Sequence, residues 1–283
     1  MEYPLIYDEN SVQIYRMNEK VYYRAGNLDQ RRQCNGGFIL LNDSTIAIDA
    51  PSVEGANEML WESEKLFGRP VKYVFLTHAH PDHDLGLPVF ADRGGITLLA
   101  SQKAREELEA QNIMYPSTYI GIEGTADILI DNLHITLETL PVQAHSPWDM
   151  LIGLKDYNIT FTGDLIASEP VLYLENCSLK NWIEVLEQLK KRVTGILARG
   201  HGGCIGHKYI ETEIQYLKAL QSVNGYMREH FNIKEGEIRD EFMGEILSKL
   251  CQEDCPGARL LYESSREAAY YQLTQFYRYN IHS

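Results

Sequence analysis

Thr77-His78-Ala79-His80-Pro81-Asp82-His83-Asp84 is the stretch on which the reading of this chain turns. Four residues of metal-ligand type, His78, His80, Asp82 and His83, fall within six positions, directly after the near-continuous apolar run at 71–76. Such a run has the character of a strand buried on both faces, and the ends of such strands are where α/β folds gather their active sites. In an extended segment residues i and i+2 point the same way, so His78 and His80 can grip one ion. Asp82 and His83 come one turn later, where the chain bends towards a helix, and face a second position. Zinc favours nitrogen and carboxylate donors of this kind, at ~2.0–2.2 Å. A lone His-x-His says little; four such residues in six positions, with an aspartate among them, is a specific signal.

Working outward, the N-terminal side reads as short strands at 12–16, 21–24, 37–41 and 45–49, separated by Asn, Asp and Gly. A helix at 54–67 follows, with Met59, Leu60, Leu66 and Phe67 on one face, and Gly68-Arg69-Pro70 stops it. On the C-terminal side come a strand at 96–100, a helix at 102–112, a loop at 114–124, and strands at 128–130, 134–140, 151–154 and 159–162. A helix at 181–192 carries the stripe Trp182, Val185, Leu186 and Leu189, and a short strand at 195–198 leads into Arg199-Gly200-His201. From Lys208 onward the spacing is helical: Ile210, Ile214, Leu217 and Leu220, then Phe242, Ile246 and Leu250, then Ala269, Leu273 and Phe276 among Tyr270, Tyr271, Tyr277 and Tyr279. The strand-helix-strand half occurs twice, which suits an α/β fold of two sheets packed face to face with helices outside.

The chain has 283 residues, enough for a sizeable core, and ordinary globular composition. Its formal net charge of −14 repels phosphate backbones, so no nucleic-acid partner is expected. The one dense basic run, Lys190-Lys191-Arg192, ends a predicted helix, where positive charge is favoured. Five cysteines do not make a disulfide framework, and Cys251 and Cys255 lack the second pair of a zinc ribbon, so free thiols are expected. The first ten residues have neither the basic start nor the apolar core of a secretory signal. No window approaches the ~20 apolar residues of a membrane helix. A reducing, cytoplasmic setting without membrane attachment is the expectation.

His-x-His-x-Asp-His after an apolar strand resembles the metallo-β-lactamase superfamily, and other motifs follow in that family's order over about residues 10 to 210. Asp49, ending Thr-Ile-Ala-Ile-Asp, looks like its early acidic motif. His145 in Gln-Ala-His-Ser-Pro, Asp164 in Phe-Thr-Gly-Asp-Leu and His201 in Gly-His-Gly-Gly look like its later ligands. The resemblance implies a four-layer αββα sandwich over residues 1–207, with 208–283 as a helical C-terminal extension. It implies two ions, zinc first, with iron or manganese as substitutes. His78, His80 and His145 would hold one, Asp82, His83 and His201 the other, and Asp164 would bridge them. Such ions sit ~3.5–4 Å apart and lower the pKa of a shared water towards ~7, which yields a hydroxide nucleophile. Asp82 would also act catalytically, orienting the nucleophile or passing its proton on. Asp49, without ligand-type neighbours, is expected behind the ligands rather than among them. His134, His207, His230 and His282 receive no role, and Cys204 is expected to be structural.

Departures from the family's branches narrow the chemistry. β-Lactamases of this fold carry Cys or Ser where this chain has Asp164, which ranks antibiotic hydrolysis last. Flavin-linked diiron relatives usually carry Glu at the position of His80. The Asp-bridged set looks most like glyoxalase II-type thioesterases and lactonases. The expectation is hydrolysis of a small ester, thioester, lactone or amide. The alternative is a mononuclear iron oxidoreductase resembling persulfide dioxygenases. Segments 114–124 and 167–177, with Tyr115, Tyr119, Leu172 and Tyr173, either wall a substrate pocket or pack against helices. The Tyr-rich last helix either covers that pocket or forms a homodimer contact.

Overall fold

The structure, a computed structural model, describes residues 3–9, 12–26, 33–166, 172–230, 272 and 275. The predicted helices around Ile246 and Leu273, the Cys251/Cys255 pair, His282 and part of the 167–177 segment lie outside the described residues. The chain divides into two compact units. The first comprises Met1–Pro141, Trp148–Leu165 and Thr194–Gly206, the second Val142–Pro147, Ile166–Val193 and His207–Ser283.

The first unit is built on two sheets. Eight strands lie in chain order across one of them: β1 (Leu5–Glu9), β2 (Val12–Arg16), β3 (Val21–Ala25), β4 (Gly36–Leu40), β5 (Thr45–Ile48), β6 (Val71–Phe75), β7 (Thr97–Ser101) and β8 (Thr118–Ile122). Neighbours are antiparallel as far as β5 and parallel from β5 to β8. Parallel neighbours need crossover connections. These are α1 (Val53–Leu66), then α2 (Pro81–Asp84) with α3 (Leu87–Arg93), then α4 (Gln102–Ala110). The second sheet has β9 (Thr125–Ile130), β10 (Leu133–Thr139), β11 (Met150–Leu154), β12 (Ile159–Gly163), β13 (Ile196–Arg199) and β14 (Ile205–Gly206), with only β12 and β13 parallel.

Alternation along the strands separates two cores. Ile39, Ile46, Ile48 and Phe75 meet Ile135, Leu137, Ile152 and Phe161 of the second sheet. Phe38, Leu40, Ala47, Val74 and Leu98 face the other way and meet Met59 of α1, Phe90 of α3 and Leu108 of α4. β4 and β5 are therefore buried on both faces. Ser52 caps α1, its hydroxyl accepting the Gly55 N–H at 3.0 Å.

One predicted element is corrected. The 114–124 segment contains strand β8 rather than being loop throughout. As the last strand of its sheet it leaves Ile120 exposed, so its apolar residues do not alternate as those of a half-buried strand do.

The second unit contains α5 (Leu179–Arg192) and α6 (Ile210–His230). Trp182, Leu186 and Leu189 of α5 are buried, as are Ile210, Ile214, Leu217 and Leu220 of α6, the two stripes read from sequence. Ion pairs Lys190–Glu211 and Lys218–Glu187 tie the helices at their exposed edges. Among the described residues no helix is long and apolar enough to cross a membrane.

Candidate metal centre

β6 delivers the His-rich run to the carboxyl end of the parallel strands. The Leu76 N–H donates to the Leu99 carbonyl, and the Thr77 carbonyl accepts from the Met150 N–H at 2.7 Å, which joins the run to the second sheet. His80 stands as N-cap of α2 and Pro81 occupies the first helical turn, where its missing N–H costs nothing. The turn places Asp82 and His83 within α2, one helical turn past His78 and His80.

Six of the seven predicted ligands belong to the first unit and converge. The rings of His78 and His80 meet edge to face at 4.7 Å, and those of His78 and His83 lie 4.0 Å apart. The ligand-type atoms of Asp82, His83, Asp164 and His201 all lie within 4.8 Å of one another. His201 Nε2 stands 2.8 Å from Asp82 Oδ2 and 3.4 Å from Asp164 Oδ2. Asp164 Oδ1 is 3.3 Å from His83 Nε2, and its Oδ2 is 3.8 Å from His78 Nε2. The Asp164 carboxylate thus has ring nitrogens on both sides.

His145 belongs to the second unit. It is buried, with its ring against Trp182 at 5.1 Å, and the Ala144 carbonyl before it accepts the Ser178 N–H at the N-cap of α5.

The approach of these groups requires two glycines. Gly163, before Asp164, has φ +53, and a β-carbon there would come within 2.6 Å of Thr77 Oγ1 and 3.1 Å of His78 Nδ1. A β-carbon on Gly200, before His201, would collide with Asp164 Oδ1 and lie 2.8 Å from His83 Cε1.

Behind the ligands, Asp49 is buried and fully used. Its Oδ1 accepts the Thr77 N–H at 2.7 Å, and its Oδ2 accepts the Thr77 hydroxyl at 2.9 Å and faces His83 Nδ1 at 3.0 Å. This is the supporting position expected of Asp49. When the ring is neutral, this contact favours the proton on Nδ1 and turns the lone pair of Nε2 towards Asp82 and Asp164. His83 Nε2 is buried and makes no hydrogen bond. A buried nitrogen of that kind, facing two carboxylates, fits a divalent cation and suits little else.

The electrostatics agree. Burial pushes the His80 imidazole down to about 4, against the pull of Asp164 and Asp82. Burial works against charge on His201 too, but Asp164 and then Asp82 carry it up to about 10. His83 is raised in the same contest, by Cys34, Asp164, Asp82 and Asp49. Burial opposes ionisation of Asp164, yet His201 and His83 hold it well below the usual carboxylate range. Asp82 is lowered against burial by His83 and its bond to His201. Without an ion, protons on the rings balance the carboxylates.

Several residues without a role in the sequence reading prove to be part of the site. Thr77 joins Asp49 to the run. Trp148 sets its ring edge against His80 at 5.7 Å. The fully buried Cys34 thiol, pushed up to about 12 by burial, lies within 4.8 Å of Asp49 and His83 ligand atoms. Asp84 is fully buried, and burial raises its carboxyl to about 7. Its position inside the His-rich run is the only signal of it in the sequence. Of the remaining predictions, Cys204 packs at the inter-sheet core and His134 lies on the exposed side of β10 beside Asp156. Tyr115 and Tyr119 pack against the helix-side core, Tyr119 donating to the Ser101 carbonyl. Leu172 is buried, its N–H donating to Gln272.

Known proteins resemble this chain in sequence and in fold. A curated relative, ribonuclease Z of Borrelia hermsii (strain HS1 / DAH), is 26% identical over 185 residues, covering 65% of this chain and 44% of its own length. The probable metallo-hydrolase YqgX of Bacillus subtilis (strain 168) is 30% identical over 143 residues, 47% of this chain and 66% of that protein. The chain therefore spans less than half of the ribonuclease Z it matches and just under two thirds of YqgX. Among solved structures, a metallo-β-lactamase from Pontibacter korlensis superposes with a TM-score of 0.66 at 16% identity, covering 73% of this chain and 99% of that one, a likeness of fold. The fold is the α/β sandwich of that class. A sequence profile described as the metallo-beta-lactamase superfamily, a family of metallohydrolases, matches residues 29–201, from before β4 to the last predicted ligand. With the fold, the order of motifs and the convergence of ligands in agreement, this chain belongs to the metallo-β-lactamase superfamily.

Proposed function

We propose that this protein is a dinuclear, zinc-dependent hydrolase of a small ester, thioester, lactone or amide. The observation that carries the reading is the place of Asp164, whose Oδ2 lies 3.8 Å from His78 Nε2 and 3.4 Å from His201 Nε2 while its Oδ1 lies 3.3 Å from His83 Nε2. A carboxylate so placed suits a bridge between two ions. In this reading His78, His80 and, from the second unit, His145 hold the first ion. Asp82, His83 and His201 hold the second. Iron or manganese would suit the same donors. We take residues 1–207 as the catalytic domain and 208–283 as its extension. The proposed setting is reducing and cytoplasmic, where the thiols of Cys34 and Cys204 stay free.

Bound ions would supply Lewis acidity and a water that ionises near neutral pH. The chain's own residues do the rest. Asp49 and Thr77 orient His83. Asp82, held ionised and aligned by His201 at 2.8 Å, is the group placed to take a proton at Oδ2 and return it to the leaving group. Burial of His78 and His80 keeps bulk water from that side of the site.

A second reading, cleavage of a phosphodiester in RNA, is favoured by the similarity to ribonuclease Z and opposed by the net charge of −14. One panel separates them: p-nitrophenyl esters, acyl thioesters and lactones against bis(p-nitrophenyl) phosphate and a short RNA, each with and without chelator. Metal-dependent turnover of a carboxyl derivative, lost in His83→Ala, supports the hydrolase we propose. Turnover of phosphodiesters alone would replace it with the second reading. One iron per chain with oxygen consumption would overturn both in favour of the oxidoreductase.

A further inference from the structure

His201 is the most exposed of the first unit's histidine ligands, its side chain about a third open (32%), and it sits among Gly200, Gly202 and Gly203. A glycine-rich backbone does little by itself to hold such a ring in place. The loop is instead gripped through its main chain by the β3–β4 hairpin. The Asn35 N–H donates to the Gly200 carbonyl at 2.6 Å. The Asn35 carboxamide donates to the Gly202 carbonyl at 2.6 Å and reaches that of Arg199 at 3.3 Å. The Tyr23 hydroxyl donates to the Gly202 carbonyl at 2.6 Å, with the Arg199 carbonyl at 3.1 Å. Asn35 is itself immobilised, its Oδ1 accepting the Gly26 N–H at 2.9 Å, and both side chains are buried. From the other side, the Gly200 N–H donates to the Gly163 carbonyl at 2.7 Å, just before Asp164. Three carbonyls around His201, those of residues 199, 200 and 202, are thus engaged by two residues.

We propose that Tyr23 and Asn35 are positioning residues for His201, fixing the loop so that its Nε2 reaches the second ion. This rests on the reading of His201 as a metal ligand. Neither residue is one of the predicted ligands; each acts by removing the freedom of a glycine-rich loop before the ion arrives, which is preorganisation of the site.

The test is cobalt(II) titration of the full chain, freed of metal, with occupancy read by native mass spectrometry and geometry by visible absorption. His201→Ala should retain one tight ion and lose the other. Asn35→Ala should weaken that same ion by roughly 10–100-fold, the usual effect of an outer partner, and alter only its absorption bands. Tyr23→Phe should shift the same ion in the same direction by a smaller factor. It keeps the ring in the core, so it remains readable if Asn35→Ala does not fold. Loss at one ion in His201→Ala, with both clamp variants binding two ions as the wild type does, overturns the positioning role and leaves the ligand assignment standing. Unchanged binding of both ions in His201→Ala overturns the ligand assignment, and the clamp with it.

Discussion

Asp49 Oδ2 and His83 Nδ1, 34 residues apart, lie 3.0 Å from one another beneath the predicted metal site. The contact joins the end of β5 to the turn after β6. It decides which nitrogen of His83 faces the ligands, and it ties the orientation of that ring to the register of two parallel strands.

Replacing Asp49 by Ala should therefore act on both metal and fold. Metal affinity at the second ion should fall roughly 10–100-fold. The Thr77 N–H, left buried without its acceptor, should cost about 1–3 kcal/mol of stability. Metal titration and chemical unfolding of the metal-free protein measure the two separately. Unchanged affinity would show that His83 does not depend on this partner.

Gly200→Ala should abolish binding at the second ion, because the new methyl group would meet the Asp164 carboxylate and the His83 ring. The collision is with Asp164, His83 and the Gly163 backbone and with no apolar core side chain, so circular dichroism should keep its native form while metal content drops. Two bound ions in this variant would mean that the loop before His201 has more room than the geometry allows.

Metal binding should release protons. In the metal-free protein His201 titrates at about 10 and His83 is also raised, so both carry protons at neutral pH, and ligation needs them neutral. Calorimetry in two buffers of different ionisation enthalpy should report release, with affinity weakening as pH falls. The folding signs differ between groups. The raised value of His201 stabilises the metal-free fold fully below about 6.5, the ordinary histidine value, and that contribution is lost as pH rises through about 10. His80, lowered to about 4, acts the other way: its contribution is lost as pH falls from about 6.5 through 4. Melting temperatures in chelator should decline at both ends, and His80→Gln should flatten the acid side only.

Arg24, fully buried, donates to Glu62 at 2.7 Å and Glu58 at 2.8 Å on α1. Arg24→Ala should cost about 3–5 kcal/mol, since it leaves the Glu62 carboxylate buried without its partner. The paired change Arg24→Met with Glu62→Leu should recover much of that loss. Urea unfolding checks both. Equal losses in the single and paired variants would show that Arg24 contributes through packing and not through charge.

Much of this architecture is legible in the amino-acid sequence. His78, His80, Asp82 and His83 share one short segment, so their clustering is visible from spacing alone. The inner strands announce themselves by near-continuous apolar runs, as in residues 71–76, where Lys72 alone is exposed. Edge strands do not: β8 leaves Ile120 exposed and lacks the alternation that would mark it. α3 is seven residues with Pro88 in its first turn and glycines just past its end, too short for a helical period to show. The supporting residues are the least legible. Asn35 grips Gly202 from 167 residues away, and it does so through a carbonyl that every residue possesses. No pattern of side chains can reveal a contact made to the backbone.

The central claim is a pair of ions bridged by Asp164, and the most direct measurement is the metal content and anomalous difference map of protein purified without added metal. The account predicts two zinc ions per chain with Asp164 between them, and loss of at least one in Asp164→Ala. A single ion bound away from Asp164, or one iron per chain, would contradict it.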